Sequence, residues 1–377
     1  MCGARVQLIN NRAIFTIKHP LSMFRAPTIR ASACFVLYPL SFLNSLKSIW
    51  KKDDSLNQRK ESSESDDMQL IKDKFSKLRD HYGVPKYPMV LCHGLLGFDT
   101  LTLFEAPTFA SSHADLEKVA ENVNRAGILL NYWHGIAEAL TQAGAEVIIA
   151  RVPPFGSIDQ RAERLDALLT EKCANYKKKE PNERLKINII GHSMGGLDAR
   201  YLILQLQNER SPYEVVSLTT VGTPHHGSEC ADFVMDIVSK DAALLAICPK
   251  AIPQLTTLFM EQFNENIKNL PSVAYFSYGA SMPPNGLRVF RATYEIIKHE
   301  IIKRGGKHYE NDGMVSVELS KWGEYLGTLS DVDHLDLINW TNSIKSTVDQ
   351  IIFDKSPSFN PIALYLDIAE NLSKRGF

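Results

Sequence analysis

The stretch KINIIGHSMGGLDARYLI, residues 186–203, places Ser193 between Gly191 and Gly195. A serine hydroxyl becomes a nucleophile when a base takes its proton and an acid orients that base. The apolar residues before Gly191 predict a strand, and those after Gly195 predict a helix. The two glycines permit a tight turn that lifts the hydroxyl above a sheet, at the helix end whose dipole favours negative charge. The pattern predicts a nucleophile; the alternative is a glycine-rich connection with an incidental serine.

A base for this serine must be sought among the histidines, and in a strand–turn–helix architecture the base follows the acid in the chain. The histidines that follow Ser193 are His225, His226, His299, His308 and His334. His299 lies in a helical pattern and is typical of a surface position. His225 and His226 can line a site, but they precede most candidate acids. His334 follows the last predicted strand, so the chain order favours it as the base.

The acid is expected between the serine and His334. Asp312 in the run YENDGMVSVELS is the first candidate, although Asn-Asp-Gly is equally typical of a turn. Asp331 and Asp333 are so close to His334 in sequence that we expect them to point elsewhere. Asp336 is interpreted as a residue that supports the base indirectly or binds a metal.

The tetrahedral intermediate of acyl transfer also needs backbone donors. The run CHGLLGFD, residues 92–99, follows the first strong strand, and its glycines Gly94 and Gly97 let the loop approach the site. Its amides and the amide of Met194, directly after the serine, are predicted to form an oxyanion hole. We expect His93 and His192 to have structural roles.

Short apolar runs alternate with helical patterns from residue 88 onward. The predicted strands are 89–92, 146–150, 186–190, 215–221, 272–278 and 324–330. One predicted helix ends at Gly144, and another opens with Ser157 and Gln160 as a capping box. This alternation predicts an α/β fold with a mostly parallel sheet covered on both faces. Functional groups in such a sheet belong at the carboxyl ends of its strands.

The chain divides into three predicted parts. Residues 1–52 carry eight Lys or Arg and no Asp or Glu, and include an uncharged run at 31–46. This composition predicts a mitochondrial targeting segment with a membrane-docking stretch. The alternatives are a secretory signal anchor for the endoplasmic reticulum and a basic extension without a targeting function. Residues 53–83 are predicted to be a polar linker followed by a short helix over 68–82. Residues 84–377 are predicted to form the catalytic domain.

Composition excludes several functions. The formal net charge of −1 argues against nucleic-acid binding. The six cysteines form no close Cys-x-x-Cys pair, which argues against zinc. Reduced, packed thiols are expected, and the alternative is a bridge between Cys230 and Cys248.

With these residues assembled, the chain resembles the Pseudomonas-type true lipases of the α/β-hydrolase superfamily, and more closely their fungal relatives, the triacylglycerol lipases of yeast mitochondria. The resemblance spans about residues 88–340. The matching segments are HGLLGFD, NYWHGIAEALTQAGAEV, IIGHSMGGLDARY, TTVGTPHHGSECADFV, NDGMVSV and DHLDLINW. It implies Ser193 as nucleophile, Asp312 as acid and His334 as base. It implies that the amides of Leu95 and Met194 hold the oxyanion.

The resemblance also implies a mobile lid over about residues 228–265, which covers the acyl site and opens at a lipid surface. Bacterial members bind a structural calcium through two aspartates. Asp336 matches one of them, but no residue of the run FSYGASMPPNGLRVF matches the other, so we expect no calcium and no organic cofactor. The insertion at 287–306 has no role that the sequence reveals.

The predicted function is a serine hydrolase that cleaves ester bonds of acylglycerols at a membrane or lipid-droplet surface, with peripheral contact to that surface. Within catalysis, the alternatives are a phospholipase and a lipid acyltransferase. The alternative outside catalysis is a non-catalytic lipid-binding protein on a hydrolase scaffold.

Overall fold

A computed structural model of the chain describes residues 69–95, 132–174, 176, 183–283, 289–340 and 359–377. The predicted segment 1–52 and the linker up to residue 68 lie outside the described residues, as does Gly97. Within the described residues, seven strands form one sheet in the order β1-β7-β6-β5-β4-β2-β3, and all its neighbouring pairs are parallel. The strands are β1 Leu70–Ile71, β2 Met89–Cys92, β3 Val147–Ile149, β4 Leu185–His192, β5 Tyr213–Val221, β6 Ala274–Ser281 and β7 Glu324–Ser330. The predicted α/β fold with a parallel sheet is confirmed.

Helices follow most of these strands. They are α1 Ile136–Gln142, α2 Ile158–Ala174, α3 Gly195–Tyr201, α4 Glu229–Val238, α5 Ala242–Ile247, α6 Ala251–Gln254, α7 Thr257–Asn266, α8 Arg291–Lys303, α9 Val317–Ser320 and α10 Pro361–Lys374. Half of the predicted capping box is present, because the Gln160 side chain accepts from the Ser157 amide at 3.4 Å. None of the helices within the described ranges is long and apolar enough to cross a membrane.

The sheet is buried on both faces, as a parallel sheet covered by helices requires. Strand β2 shows this directly, because its successive side chains point to opposite faces. Met89 and Leu91 pack in a cluster with α1 and α10, whereas Val90 and Cys92 pack in a second cluster with α2 and α3. The four cysteines in the described residues are free thiols, so the bridge between Cys230 and Cys248 is not formed.

The predicted short helix over 68–82 is wrong. Leu70–Ile71 form an edge strand that pairs with β7, and turns follow it. Short helices are marginal in water, so tertiary contacts decide such a segment. Here Phe75 is buried in the core, and its carbonyl accepts from the amide of Asn360, directly before α10. These contacts hold the backbone around Phe75 in an irregular conformation.

Three neighbouring strands of the sheet end at the same level, and this brings the candidate loops together. In register, Cys92 of β2 lies opposite Gly191 of β4, and His192 lies opposite Val221 of β5. The loops that carry Leu95 and Ser193 therefore leave the sheet side by side.

Candidate active site

Ser193 occupies a strained turn between β4 and α3. Its φ is 55°, in the left-handed region that non-glycine residues rarely adopt. The turn is held at both ends: the Ser193 amide donates to the Val221 carbonyl at 3.0 Å, and the Ser193 carbonyl accepts from the Thr223 hydroxyl at 2.7 Å. A Cβ at Gly191 would lie 2.6 Å from the Gly196 Cα, and one at Gly195 would lie 2.4 Å from the Cys92 carbonyl oxygen. Both glycines are required by close approach of backbone.

Asp312 and His334 form a buried pair. Oδ2 of Asp312 lies 2.7 Å from Nδ1 of His334, and the His334 amide donates to the Asp312 carbonyl at 3.0 Å. The second carboxylate oxygen, Oδ1, accepts from the amides of Met314 and Val315 at 2.9 and 2.8 Å. These bonds fix the plane of the carboxylate, and the carboxylate in turn fixes the tautomer of the imidazole, with the proton on Nδ1. Nε2 is left as the nitrogen that can accept a proton.

The His334 ring lies next to the serine turn. Its centroid is 4.7 Å from that of His192, the residue before Ser193. Gly222, at the end of β5, lets the pair approach the sheet, because a Cβ there would be 3.2 Å from Asp312 Oδ2 and 3.4 Å from His334 Nδ1. The structure thus brings the three residues of the predicted triad to one edge of the sheet.

The two expected oxyanion donors belong to one apolar cluster beside the serine turn. Met194 is fully buried at the amino end of α3, and Leu95 packs against the same apolar cluster. Gly94 lies in close contact with the nucleophile. A Cβ at this position would be 2.6 Å from Ser193 Cβ and 3.0 Å from its Oγ. Neither the Leu95 nor the Met194 amide donates to an acceptor among the described residues.

The other histidines after the serine have different surroundings. His225 stacks on Trp322 with centroids 5.3 Å apart and bonds to the Thr220 hydroxyl at 2.9 Å. Burial, with the nearby Arg200 cation, lowers the pKa of His225 well below its ordinary value. His299 lies on α8 as predicted, with its side chain partly exposed.

The aspartates around His334 serve the local backbone. Asp333 Oδ1 accepts from the Leu335 and Asp336 amides, and Asp336 Oδ2 accepts from the Asp333 amide at 3.1 Å. These reciprocal bonds cap a short 3₁₀ turn. Across the described residues, no group of three or more His, Cys, Asp or Glu side chains is arranged to hold a metal ion.

Two residues of this region were not predicted from the sequence. Tyr132 accepts from the Gly94 amide at 2.9 Å and lies 2.7 Å from Nδ1 of His192. The Phe290 ring contacts His334 edge-on, with centroids 6.3 Å apart. Tyr132 lies in a segment that resembles the lipases, and Phe290 lies in the insertion at 287–306. No spacing along the chain links Tyr132 to the glycine loop or Phe290 to His334.

Comparison with known proteins agrees with this geometry. The profile of the alpha/beta hydrolase fold family matches residues 87–246. Triacylglycerol lipase 2 of Saccharomyces cerevisiae is 40% identical over 320 residues, covering 80% of this chain and 95% of that protein. Triacylglycerol lipase of Pseudarthrobacter phenanthrenivorans is 31% identical over 219 residues, 55% of this chain and 57% of that protein. The crystal structure of Staphylococcus hyicus lipase aligns with a TM-score of 0.50 at 16% identity, over 79% of this chain and 99% of that one, and this likeness supports the fold.

Proposed function

The chain belongs to the α/β-hydrolase triacylglycerol lipases, and from that premise we propose that it cleaves the carboxylic ester bonds of acylglycerols with Ser193, His334 and Asp312. The observation that carries the assignment of roles is the bond between Asp312 Oδ2 and His334 Nδ1, 2.7 Å long and buried beside a strained serine turn. That bond leaves Nε2 of the imidazole as a proton acceptor, which a serine nucleophile requires.

The reaction proceeds in two halves. His334 Nε2 takes the Ser193 hydroxyl proton as Oγ forms a bond to the ester carbonyl carbon, and the carbonyl oxygen becomes an oxyanion held by the Leu95 and Met194 amides. The carbon–oxygen bond to the glycerol side then breaks, and His334 gives its proton to the departing alcohol. Water attacks the acyl-enzyme with His334 again as base, and the fatty acid leaves as Ser193 regains its proton. Asp312 stabilises the imidazolium in both halves.

The first experiment compares the wild-type chain with Ser193→Ala. Hydrolysis is measured on a short-chain soluble ester and on emulsified long-chain triacylglycerol, each with and without a calcium chelator. We expect wild-type activity on both substrates and a loss of about 10⁶ in kcat in the variant. A matched control is Ser157→Ala, which removes a hydroxyl before α2. Equal activity of Ser193→Ala and wild type would refute the assignment.

We further propose that residues 228–265 form the lid over this site. In the structure they comprise α4, α5, α6 and most of α7. Leu255 and Met260 of this segment pack with Met194 in one buried cluster, which supports a position of the segment over the serine turn. On its outer side, Leu245 is 46%, Ile247 61% and Leu258 67% exposed. Exposed apolar side chains on a covering segment suit contact with a lipid surface.

The lipid contact is tested with the double variant Leu245→Asp, Ile247→Asp. Vesicle affinity, measured by cosedimentation with phosphatidylcholine vesicles, and hydrolysis of the emulsion should each fall at least tenfold, since full burial of each side chain gains roughly 1.5–3 kcal/mol and about half of each is exposed here. Hydrolysis of the soluble ester should not change. Ile302→Asp, at an apolar residue near the end of α8 that is 41% exposed, serves as the control. Unchanged vesicle binding in the double variant would contradict the contact.

We also propose that residues 1–52 direct the protein to mitochondria. The support is their composition: eight basic residues, four of them Arg, with no acidic residue. A fusion of this segment to a fluorescent protein should colocalise with a mitochondrial marker. Replacing Arg5, Arg12, Arg25 and Arg30 by Gln should abolish that localisation. A wild-type fusion in the endoplasmic reticulum or the cytosol would overturn the proposal.

A further inference from the structure

The loop His93–Leu95, directly after β2, contains two consecutive peptide units, and their polar groups can be accounted for one by one. In the unit between His93 and Gly94, the carbonyl of His93 accepts from Arg161 Nη2 at 2.7 Å. The amide of Gly94 donates to the Tyr132 hydroxyl at 2.9 Å. Both ends of this unit are therefore held by buried side chains.

The next unit, between Gly94 and Leu95, is held through its carbonyl. The Gly94 carbonyl lies 2.9 Å from Nδ1 of His93, and the Val152 amide donates to Nε2 of the same ring at 3.3 Å. Because a carbonyl only accepts and an amide only donates, His93 is neutral with its proton on Nδ1. The Leu95 N–H at the other end has no acceptor among the described residues.

A trans peptide is planar, so its C=O and N–H point in opposite directions. Fixing the Gly94 carbonyl therefore fixes the direction of the Leu95 N–H. The Gly94 Cβ position would lie 2.6 Å from Ser193 Cβ, and the Gly195 Cβ position would lie 2.7 Å from the His93 carbonyl oxygen. The loop that contains both peptide units thus lies directly against the nucleophile turn.

We infer that His93 is a positioning residue, which aims the Leu95 N–H at the oxyanion through its bond to the Gly94 carbonyl. The inference rests on the proposed function, in which Leu95 is an oxyanion donor. His93 touches neither substrate nor Ser193 in this role. Its effect is confined to the transition state, where charge develops on the carbonyl oxygen.

The size of the effect follows from its indirectness. Removing an oxyanion donor costs roughly 10²–10³ in kcat. A donor that is present but poorly aimed should cost less, about 10- to 100-fold. The KM for a soluble ester should change little, because the bond acts on charge that the ground state lacks.

The experiment compares His93→Asn, in which the amide nitrogen can replace Nδ1 as donor to the Gly94 carbonyl, with His93→Gln, in which the amide oxygen can replace Nε2 as acceptor from Val152 but no donor takes the place of Nδ1. We expect Asn to keep kcat within about threefold of wild type and Gln to lose about 10- to 100-fold. The affinity for an alkyl boronic acid, which forms a tetrahedral adduct on Ser193, should fall in proportion to kcat/KM. His225→Gln controls for replacing a buried histidine, and it should retain both kcat and boronate affinity.

Two results would overturn the inference: equal kcat and boronate affinity in His93→Gln and wild type, or equal losses in the Asn and Gln variants. Equal losses would trace the effect to the Val152 contact or to packing. The boronate arm requires no turnover. A wild-type protein that bound boronate but hydrolysed no ester would refute the proposed function and still decide the role of His93.

Discussion

The Phe290 ring meets the His334 ring at a right angle, with an interplanar angle of 89° and centroids 6.3 Å apart. Phe290 comes from the insertion at 287–306, for which the sequence suggested no role. Phe290 also accounts for the presence of glycine at position 313. A Cβ at Gly313, where φ is +90°, would lie 2.3 Å from the Phe290 Cβ. The insertion therefore supplies one wall beside the histidine that would protonate the leaving alcohol.

Phe290→Ala should change selectivity for the alcohol part of the ester. Removing the wall should shift the kcat/KM ratio between small and bulky alcohol esters by about three- to tenfold, in the range of a hydrophobic pocket contact. The ratio between acyl-chain lengths should stay constant. Val289→Ala, at the exposed neighbouring residue, is the control. A shift in acyl selectivity instead would place Phe290 on the other side of the site.

Asp312→Asn should inactivate the enzyme without unfolding it. Oδ1 accepts from two amides, so the Asn oxygen should keep that position and its NH₂ group should face Nδ1 of His334. The imidazole would then carry its proton on Nε2 and could not take the serine proton. The expected loss is about 10⁴ in kcat, the size seen for the equivalent change in serine proteases.

The matched control for Asp312→Asn is Asp336→Asn, because Asp336 accepts an amide proton in the loop of His334, whereas Nδ1 of the His334 ring pairs with Asp312. We expect this control to retain kcat within a few-fold. If both variants lost activity equally, the orientation argument would be wrong and the loop structure would be responsible. Circular dichroism and thermal melting establish that each variant is folded.

Arg304→Gln should loosen residues 228–265, the proposed lid, which is called the covering segment below. Arg304 at the end of α8 donates to Asp232 of α4 at 2.9 Å, and Asp232 also accepts from the Thr257 amide and hydroxyl at the start of α7. A partly exposed ion pair is worth about 0.5–1 kcal/mol, which is a two- to fivefold population shift. We expect a two- to fivefold rise in hydrolysis of the soluble ester.

Lys303→Gln is the control for Arg304→Gln, because Lys303 pairs with Glu300 within α8 and does not reach the covering segment. The ratio of emulsion to soluble-ester activity should fall for Arg304→Gln alone. An equal change in both variants would indicate a general effect of surface charge.

Glu229→Gln should stabilise the protein at neutral pH and have no effect in acid. The Glu229 carboxyl is buried at the start of α4, where Oε1 accepts from Ser316 and Oε2 has no hydrogen-bond partner among the described residues. Burial raises the pKa of Glu229 above its ordinary value of 4.5. The folded state therefore holds this proton more tightly than the unfolded state, and the resulting stability is lost as pH rises from 4.5 through the folded pKa.

Glutamine cannot ionise and avoids that loss. Guanidinium unfolding should give equal free energies for Glu229→Gln and wild type at about pH 4, and a higher value for the variant at pH 7. Glu318→Gln, an exposed glutamate paired with Lys321, is the control and should show no such pH-dependent gain. A variant less stable than wild type at pH 7 would show that the charged carboxylate is needed.

The sequence alone predicted the parallel sheet and the serine turn. It predicted five strands to within two residues at each end, and β6 to within three. These are local features: β-branched runs, glycines at fixed spacing and chain order constrain them without distant contacts. The resemblance to lipases was likewise carried by contiguous segments. The family is confirmed by a relative that is 40% identical over most of its length.

Tertiary structure decided what depends on contacts between distant residues. It placed Asp312, rather than Asp331 or Asp333, on Nδ1 of His334, and it brought Tyr132 and Phe290 to the site. It also replaced the predicted helix over 68–82 with an edge strand, because pairing with β7 and burial of Phe75 outweigh a weak local preference. Spacing along the chain limits which residues can meet, but packing selects the ones that do.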